Sequence, residues 1–328
     1  MINISSESFE SYVNSKMLAS ILDHTQLMPF ATKDDIQKLC EEAHELGTAT
    51  VCVNEGRVED AVEILKSLNS KVKVCAVIGF PLGSCTTEIK ATSALDAIKK
   101  GAEEIDMVVN VGYLKDVFSK DKNESEKEKA LERFSQDIEK VIEAVDNYNA
   151  ENFDEKNYDN NNNNNTKKGI ILKVILENCY LTDEEIFFVA KTIAELAGNF
   201  KNLKVFAKTS TGFGVPNKSP VPEKEYEGKK ENNAVGATIK DVEIMKKAID
   251  EIKKIKNKTH EYIIGIKAAG GIRDKEIIIK MMIAAGCFES EEDDKNNGNN
   301  KTNKKYKLKP YYKELIRIGT SSAKDICK

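Results

Sequence analysis

LKVFAKTSTGFG, residues 203–214, begins as an apolar run suited to a buried strand and ends in a different chemistry. Lys208 stands at its end, followed by Thr209, Ser210 and Thr211 and by Gly212 and Gly214. An ammonium group at the end of a buried strand is costly unless it is paired or used. Glycines directly behind it let a ligand approach the backbone. Such a strand belongs to a sheet whose strand ends build a site, so the fold turns on how many similar strands the chain contains.

Seven more apolar runs read as strands: ASILDH, ATVCVN, VKVCAVIG, EIDMVVNV, IILKVILE, YIIGIKAAG and LIRIGTSS. Helical patterns separate them. Ile36, Leu39, Cys40, Ala43 and Leu46 recur at helical spacing, with Thr32 and Asp35 as a capping box and Gly47 as the stop. LTDEEIFFVAKTIAELAG repeats that grammar with Thr182, Glu185 and Gly198. A third helix starts at Thr238 and aligns Val242, Met245, Ile249 and Ile252. Eight strands, apolar along their length and alternating with helices, predict an α/β fold, a (β/α)8 TIM barrel forming one domain over 1–328. A doubly wound open sheet is the runner-up. It usually carries a Gly-rich turn after its first strand, and LDHTQLMPF has none.

Four low-complexity or charged inserts interrupt this pattern, at 119–129, 147–168, 215–233 and 289–309. The first is a charge run able to extend a helix, the second is Asn-rich, and the third holds three of the six prolines. None has the apolar content to offset its ordering entropy, so all four are expected to be solvated loops. The Asn-rich one precedes the fifth strand and so belongs on the side away from the barrel mouth.

The 328 residues are 40% hydrophobic and 32% charged, with a formal net charge of −4. That balance predicts neither nucleic-acid nor membrane binding. The polar N-terminus lacks the basic-then-apolar order of a secretory signal, and no apolar run is long enough to span a bilayer. The seven cysteines are scattered and form no CxxC pair, which reads as reduced thiols of a cytoplasmic protein. His24, His44 and His260 form no cluster with metal-ligand spacing, so no metal or cofactor is expected. His24 neighbours Asp23 on a strand, so the two face opposite ways and His24 is taken as structural.

Polar exceptions fall at or near strand ends: Asp23, Asp106, Lys173, Glu177, Lys208 and Lys267. In a barrel these ends converge on one mouth. A second ammonium close to a first disfavours its protonation, and an amine so prepared can form a Schiff base with a carbonyl. The plainer reading is that Lys208 and Lys267 each pair with a carboxylate and only hold the barrel together. Cys52, at a strand end, is placed to line the mouth, though it reads rather as a core thiol. GFPLGSCTTE (79–88) reads as a tight loop walling the mouth. AAGGIRD and RIGTSS follow the last two strands, where barrels of this type hold phosphate. Gly270 and Gly271 permit close approach, Gly319, Ser321 and Ser322 precede a helix start, and Arg273 offers a bidentate cation.

LDHTQL, VCVN, VIGFPLG, EIDMVVNVG, LKVILE, FAKTSTGFG, GIKAAGGIRD and RIGTSS, in this order, make the chain resemble the deoxyribose-phosphate aldolases, class I aldolases with a (β/α)8 barrel. The resemblance implies reversible cleavage of 2-deoxy-D-ribose 5-phosphate to D-glyceraldehyde 3-phosphate and acetaldehyde. It implies Lys208 as the Schiff-base lysine, Lys267 as the second lysine and Asp106 as partner in proton relay. Asp23 would orient Lys267, with Thr25, Cys52 and Lys173 in support. Gly212, Gly270, Gly271, Arg273, Gly319, Ser321 and Ser322 would hold the phosphate. The expected partner is a small phosphorylated sugar, with a homodimer as the expected assembly. The alternatives are a Schiff-base aldolase for another phosphorylated sugar and a non-catalytic sugar-phosphate-binding barrel. Some family members end in a tyrosine that assists proton transfer; this chain ends AKDICK.

Overall fold

The strand runs alternate more strictly than their apolar content suggests, and this alternation builds the molecule. The computed structural model describes residues 13–153, 169–215, 236–255, 264–291 and 305–328. Within them, β1 (Leu22–Gln26), β2 (Thr50–Asn54), β3 (Lys73–Ile78), β4 (Glu104–Val108), β5 (Ile171–Ile175), β6 (Lys204–Lys208) and β7 (Gly265–Ala269) are joined by β10 (Ile316–Thr320). These eight close into a barrel in the order β1-β10-β7-β6-β5-β4-β3-β2. Every neighbouring pair is parallel. A closed sheet rules out the doubly wound alternative.

One set of alternating positions faces out. Val51, Val74, Ile105, Leu172, Val205 and Ile266 belong to the large apolar core shared with the helices. The other set faces in and is largely ionic: Asp23, Glu104, Asp106, Lys173 and Lys267 are all fully buried. Bulk inside comes from lysine stems and from Phe206, and glycines make room for both. A Cβ on Gly265 would lie 2.2 Å from the Phe206 ring, and one on Gly319 would lie 3.2 Å from Cε of Lys267.

Helices α1 (Ser15–Ala19), α2 (Lys33–Leu46), α3 (Val58–Ser67), α4 (Thr87–Lys99), α5 (Val111–Val117), α6 (Glu124–Asn152), α7 (Asp183–Ala197), α8 (Ile239–Ile255), α9 (Lys275–Ala284), α10 (Tyr312–Leu315) and α11 (Ala323–Ile326) surround or flank the barrel. The capping boxes at Thr32/Asp35 and Thr182/Glu185 are formed, and Gly47 ends α2 in the left-handed conformation at φ +70°. Gly198 ends α7 with φ −68°, so that stop does not use a left-handed glycine. Thr238 accepts from the Asp241 N–H, 3.0 Å, at the start of α8. Among the described residues no helix is long and apolar enough to cross a membrane.

The insert boundaries need correction. Glu124–Lys129, from the charge run, form the first turns of α6, capped by Asn123 and Glu126. Residues 147–152 complete the same helix, and Asn149 is buried. Its amide donates to the carbonyls of Ile170, 3.0 Å, and Asn202, 2.9 Å, and accepts from the Ile170 N–H, 2.8 Å. Periodicity failed here because polar residues carry the contact. Phe288–Glu291 and Lys305–Leu308 pair as an antiparallel hairpin, β8–β9, at the two ends of the 289–309 insert. The remainder of these inserts, 154–168, 216–233 and 292–304, lies outside the described residues.

Because Asn149 satisfies three backbone groups, Asn149→Ala should lower unfolding stability by about 2–3 kcal/mol, at roughly 1 kcal/mol per bond. Urea unfolding followed by circular dichroism measures this. A loss under about 0.5 kcal/mol would show that those backbone groups find other partners.

Candidate active site

β4, β5, β6 and β7 are consecutive in the barrel, so their inward side chains meet. Asp106 is in register with Lys173 across β4 and β5, and Lys208 with Lys267 across β6 and β7. The Nζ atoms of Lys208 and Lys267 each lie 2.7 Å from Oδ2 of Asp106. Lys173 Nζ lies 2.9 Å from Oδ1 of the same carboxylate and 2.6 Å from Oε2 of Glu104. Asp23 reaches Lys267 at 2.5 Å and Lys173 at 3.6 Å. One carboxylate therefore faces three ammonium groups in a space closed to water. Lys208, at the end of its strand, is the lysine nearest the mouth among these three.

The electrostatics follow from that packing. Burial alone would push Asp106 up, but Lys173, Lys208 and Lys267 outweigh it and hold the carboxyl well below its usual range. Asp23 likewise loses solvation, yet Lys267, Lys173 and Arg317 bring it down to about 2. For Lys267 and Lys173, burial disfavours the charge, and the surrounding carboxylates more than reverse it, so both are raised. The plainer reading of the lysines, that they are paired, is true of their geometry; but the pairing is shared, with two ammonium groups on one oxygen.

The loop behind Lys208 is stitched to its neighbours. Leu176 N–H donates to the Lys208 carbonyl, 2.8 Å, and Asn178 N–H to that of Thr209, 3.0 Å. Thr209 N–H donates to the Lys267 carbonyl, 2.9 Å, and its hydroxyl bridges to the Ala269 backbone. Glu177 sits just past β5 with φ +61°, a left-handed conformation unusual for this residue type. That conformation delivers its buried carboxyl to the Thr211 N–H and hydroxyl. Burial raises the Glu177 carboxyl, against the lowering effect of those bonds.

The mouth has one apolar wall. Leu27, Cys52, Cys75 and Val77 form a small cluster with Phe80 and Phe213, whose rings meet edge to face at 5.1 Å. Phe80 comes from the 79–88 loop, which carries a cis Phe80–Pro81 bond. The glycine turns follow β6 and β7. Gly270 and Gly271 have φ +99° and +69°, and a Cβ on Gly212 would lie 3.7 Å from Gly270 Cα. Thr320 ties the turns after β7 and β10 together by donating to the Ile272 carbonyl, 2.7 Å. Its oxygen also accepts from the Ser322 N–H, 2.9 Å, so that donor is already engaged. The helix that follows, α11, has only four residues. Gly271, Arg273 and Ser321 are exposed at this edge.

Sequence reading misplaced some depths. Asp23 is the second residue of β1, Lys267 the middle of β7 and Cys52 the middle of β2, so none ends its strand. Thr25 hydrogen-bonds the Asp23 carbonyl of its own strand, 2.8 Å. His24 faces out and meets Glu42, 3.1 Å. Glu104, Arg317, Cys75 and Thr320 were missed. The spacing of Glu104 from Asp106, two residues on a strand, was the available signal. Cys52, Cys75 and Asp106 bring three potential metal ligands together. The three ammonium groups on Asp106 would repel a divalent cation there.

No protein-family model matches the chain. It is 38% identical over 278 residues to a deoxyribose-phosphate aldolase of Caldanaerobacter subterraneus subsp. tengcongensis, covering 85% of this chain and 89% of that one. It is 35% identical over 272 residues to a deoxyribose-phosphate aldolase of Thermococcus kodakarensis, covering 83% and 91%. Among solved structures, QR15, an aldolase, superposes with a TM-score of 0.58 at 25% identity, over 94% of both chains. The tetrameric deoxyribose phosphate aldolase of Aeropyrum pernix shares the fold, with a TM-score of 0.61 at 20% identity over 98% of this chain and 94% of that one.

Asp23 gives a pH test of the ionic interior. Its folded value, about 2, lies below the ordinary 3.8. Its charge therefore stabilises the fold fully above pH ~4, and that contribution, about 2 kcal/mol, is lost as pH falls through ~2. Asp23→Asn should be less stable than the parent at pH 5, with the gap narrowing by pH 3. Urea midpoints at the two pH values measure this. A gap that does not change with pH would show that the charge of Asp23 contributes nothing.

Proposed function

The chain belongs to the deoxyribose-phosphate aldolase family, and from that premise we propose that it reversibly cleaves 2-deoxy-D-ribose 5-phosphate through a Schiff base on Lys208. The products are D-glyceraldehyde 3-phosphate and acetaldehyde. The observation that carries the assignment is the pair of Nζ atoms, Lys208 and Lys267, each 2.7 Å from the same oxygen of Asp106. Lys208 supplies the nucleophile, and Lys267 and Asp106 move the proton.

In the synthetic direction the Lys208 amine attacks the acetaldehyde carbonyl carbon. Water leaves and a protonated imine forms, which is the electron sink. Loss of a proton from the imine methyl carbon gives an enamine. Its carbon attacks the aldehyde carbon of the phosphorylated partner, whose oxygen takes up a proton. Hydrolysis of the new imine frees Lys208 and the sugar. Once Lys208 is bound as a neutral enamine, Asp106 has lost one of its three ammonium partners. Its affinity for a proton rises at the moment when one must be held, and Lys267 shares the same oxygen. Asp23 and Lys173 hold Lys267 and Asp106 from below. The apolar wall of Cys52, Cys75, Phe80 and Phe213 suits a substrate carbon that bears no hydroxyl.

The phosphate is assigned to the edge with the glycine turns. The groups assigned to it are the left-handed Gly270–Gly271 turn, Gly212, Gly319, Ser321, the Ser322 side chain and Arg273. Binding there anchors a part of the substrate that does not react and positions the aldehyde. The enzyme is one barrel domain, acting in the cytoplasm. The unpaired cysteines support that location.

Gly271→Val tests substrate and site together, because a side chain at φ +69° on this turn would stand in the phosphate's approach. The kcat/KM for 2-deoxyribose 5-phosphate should fall at least tenfold more than that for unphosphorylated 2-deoxyribose. Equal falls would mean that the turn is only structural and the phosphate binds elsewhere. Failure of the parent enzyme to use the phosphorylated sugar would overturn the proposed reaction.

A further inference from the structure

The ionic cluster extends below the reacting groups, to two residues that touch no substrate. Arg317 on β10 reaches Glu104 at 3.5 Å and Asp23 at 4.0 Å. Glu104 in turn holds Lys173 at 2.6 Å, and Lys173 holds Asp106 at 2.9 Å. A continuous chain of ion contacts thus runs from Arg317 at the barrel floor to Lys208 at the mouth. It contains four cationic side chains, Lys173, Lys208, Lys267 and Arg317, and three carboxylates, Asp23, Glu104 and Asp106.

Buried charge that is not compensated is costly. With all four cations protonated, this contact cluster has one positive charge in excess. Arg317 cannot give up its proton. Among the described residues, Lys173 touches three carboxylates and Lys267 two, whereas Lys208 touches only Asp106. Lys208 is therefore the cation of this cluster with the fewest carboxylate contacts among the described residues.

We propose that Glu104 and Arg317 are positioning residues that set the charge balance of the cluster from below and so set the pH dependence of turnover. The proposal rests on Lys208 being the Schiff-base lysine. Other groups act on these residues. Glu177 acts on Lys208 from the loop after β5, beyond ion-pair distance, with its carboxyl held by Thr211; Cys52 lies nearby on β2. Cys75 lies 3.4 Å from Lys173. At the floor, Lys204 pairs with Glu314 at 3.5 Å, and the Phe206 ring lies between Lys204 and Arg317, 5.6 Å and 5.9 Å from them. Burial brings Lys204 down to about 8, so the Lys204–Glu314 pair is balanced only below that pH, and Arg317 and Glu104 act on Lys204 as well.

Charge changes at the floor should move activity in opposite directions along the pH axis. Glu104→Gln removes a negative charge and disfavours positive charge within the cluster. The acid limb of its kcat/KM profile should move to lower pH, by roughly half to one unit for a charge a few side chains away. Arg317→Met removes a positive charge and should move the limb to higher pH by a similar amount. Arg317→Lys should restore the parent profile. Should Arg317→Met fail to fold, Arg317→Gln reads the same upward shift. The profiles are measured with 2-deoxyribose 5-phosphate, with thermal unfolding to show that each variant is folded at each pH. Limbs that stay with the parent, or move the same way in both variants, overturn the proposal while leaving the reaction intact. A parent enzyme without turnover overturns the reaction itself, and this proposal with it.

Discussion

Asp106 accepts three ammonium groups at full burial, and much of the barrel's interior is arranged around that contact. Three cations on one carboxylate would not hold without further anions, so Asp23 and Glu104 take up the remaining charge of Lys267 and Lys173. These groups need space, and small residues at Gly265 and Gly319 supply it. The inner face is given to charge, so the apolar burial that stabilises the fold is almost all on the outer face, between strands and helices. Closed parallel topology makes the division possible, because alternate residues of every strand face opposite sides.

The same arrangement places the chemistry. Lys208 ends its strand at the mouth, bound by a single carboxylate among the described residues, with the loop that follows held to both neighbouring strands. The mouth offers an apolar wall and two left-handed glycines. A two-carbon aldehyde suits the first surface and a phosphate the second. On the proposed assignment of Lys208 as the reacting amine, these two surfaces match a substrate that is apolar at the carbon to be activated and charged at its far end.

The sequence made the barrel legible because its signals were local. All eight strand runs formed strands, and Thr32/Asp35 and Thr182/Glu185 capped the helices they were read to cap. Lys208, Lys267 and Asp106 stood out as charges in apolar runs, and the structure brings them within contact of one another. What was lost concerned depth and pairing across the barrel. Asp23 and Lys267 were read as strand ends because the registers that place them one layer down are set by closure, which no single strand encodes. Glu104 and Arg317 escaped because one charge near the start of a strand looks like a solvated end. Asn149 was read as part of a low-complexity insert, though its amide closes three backbone bonds.

The central claim is that, of the lysines sharing Asp106, Lys208 is the one that becomes covalent. The direct measurement is borohydride reduction in the presence of acetaldehyde, followed by peptide mapping with mass spectrometry. A two-carbon addition should appear on the peptide containing Lys208, with Lys173 and Lys267 unmodified. A label on Lys267 with Lys208 free would contradict the account, since it would place the reacting amine on the lysine that two carboxylates hold as an ammonium.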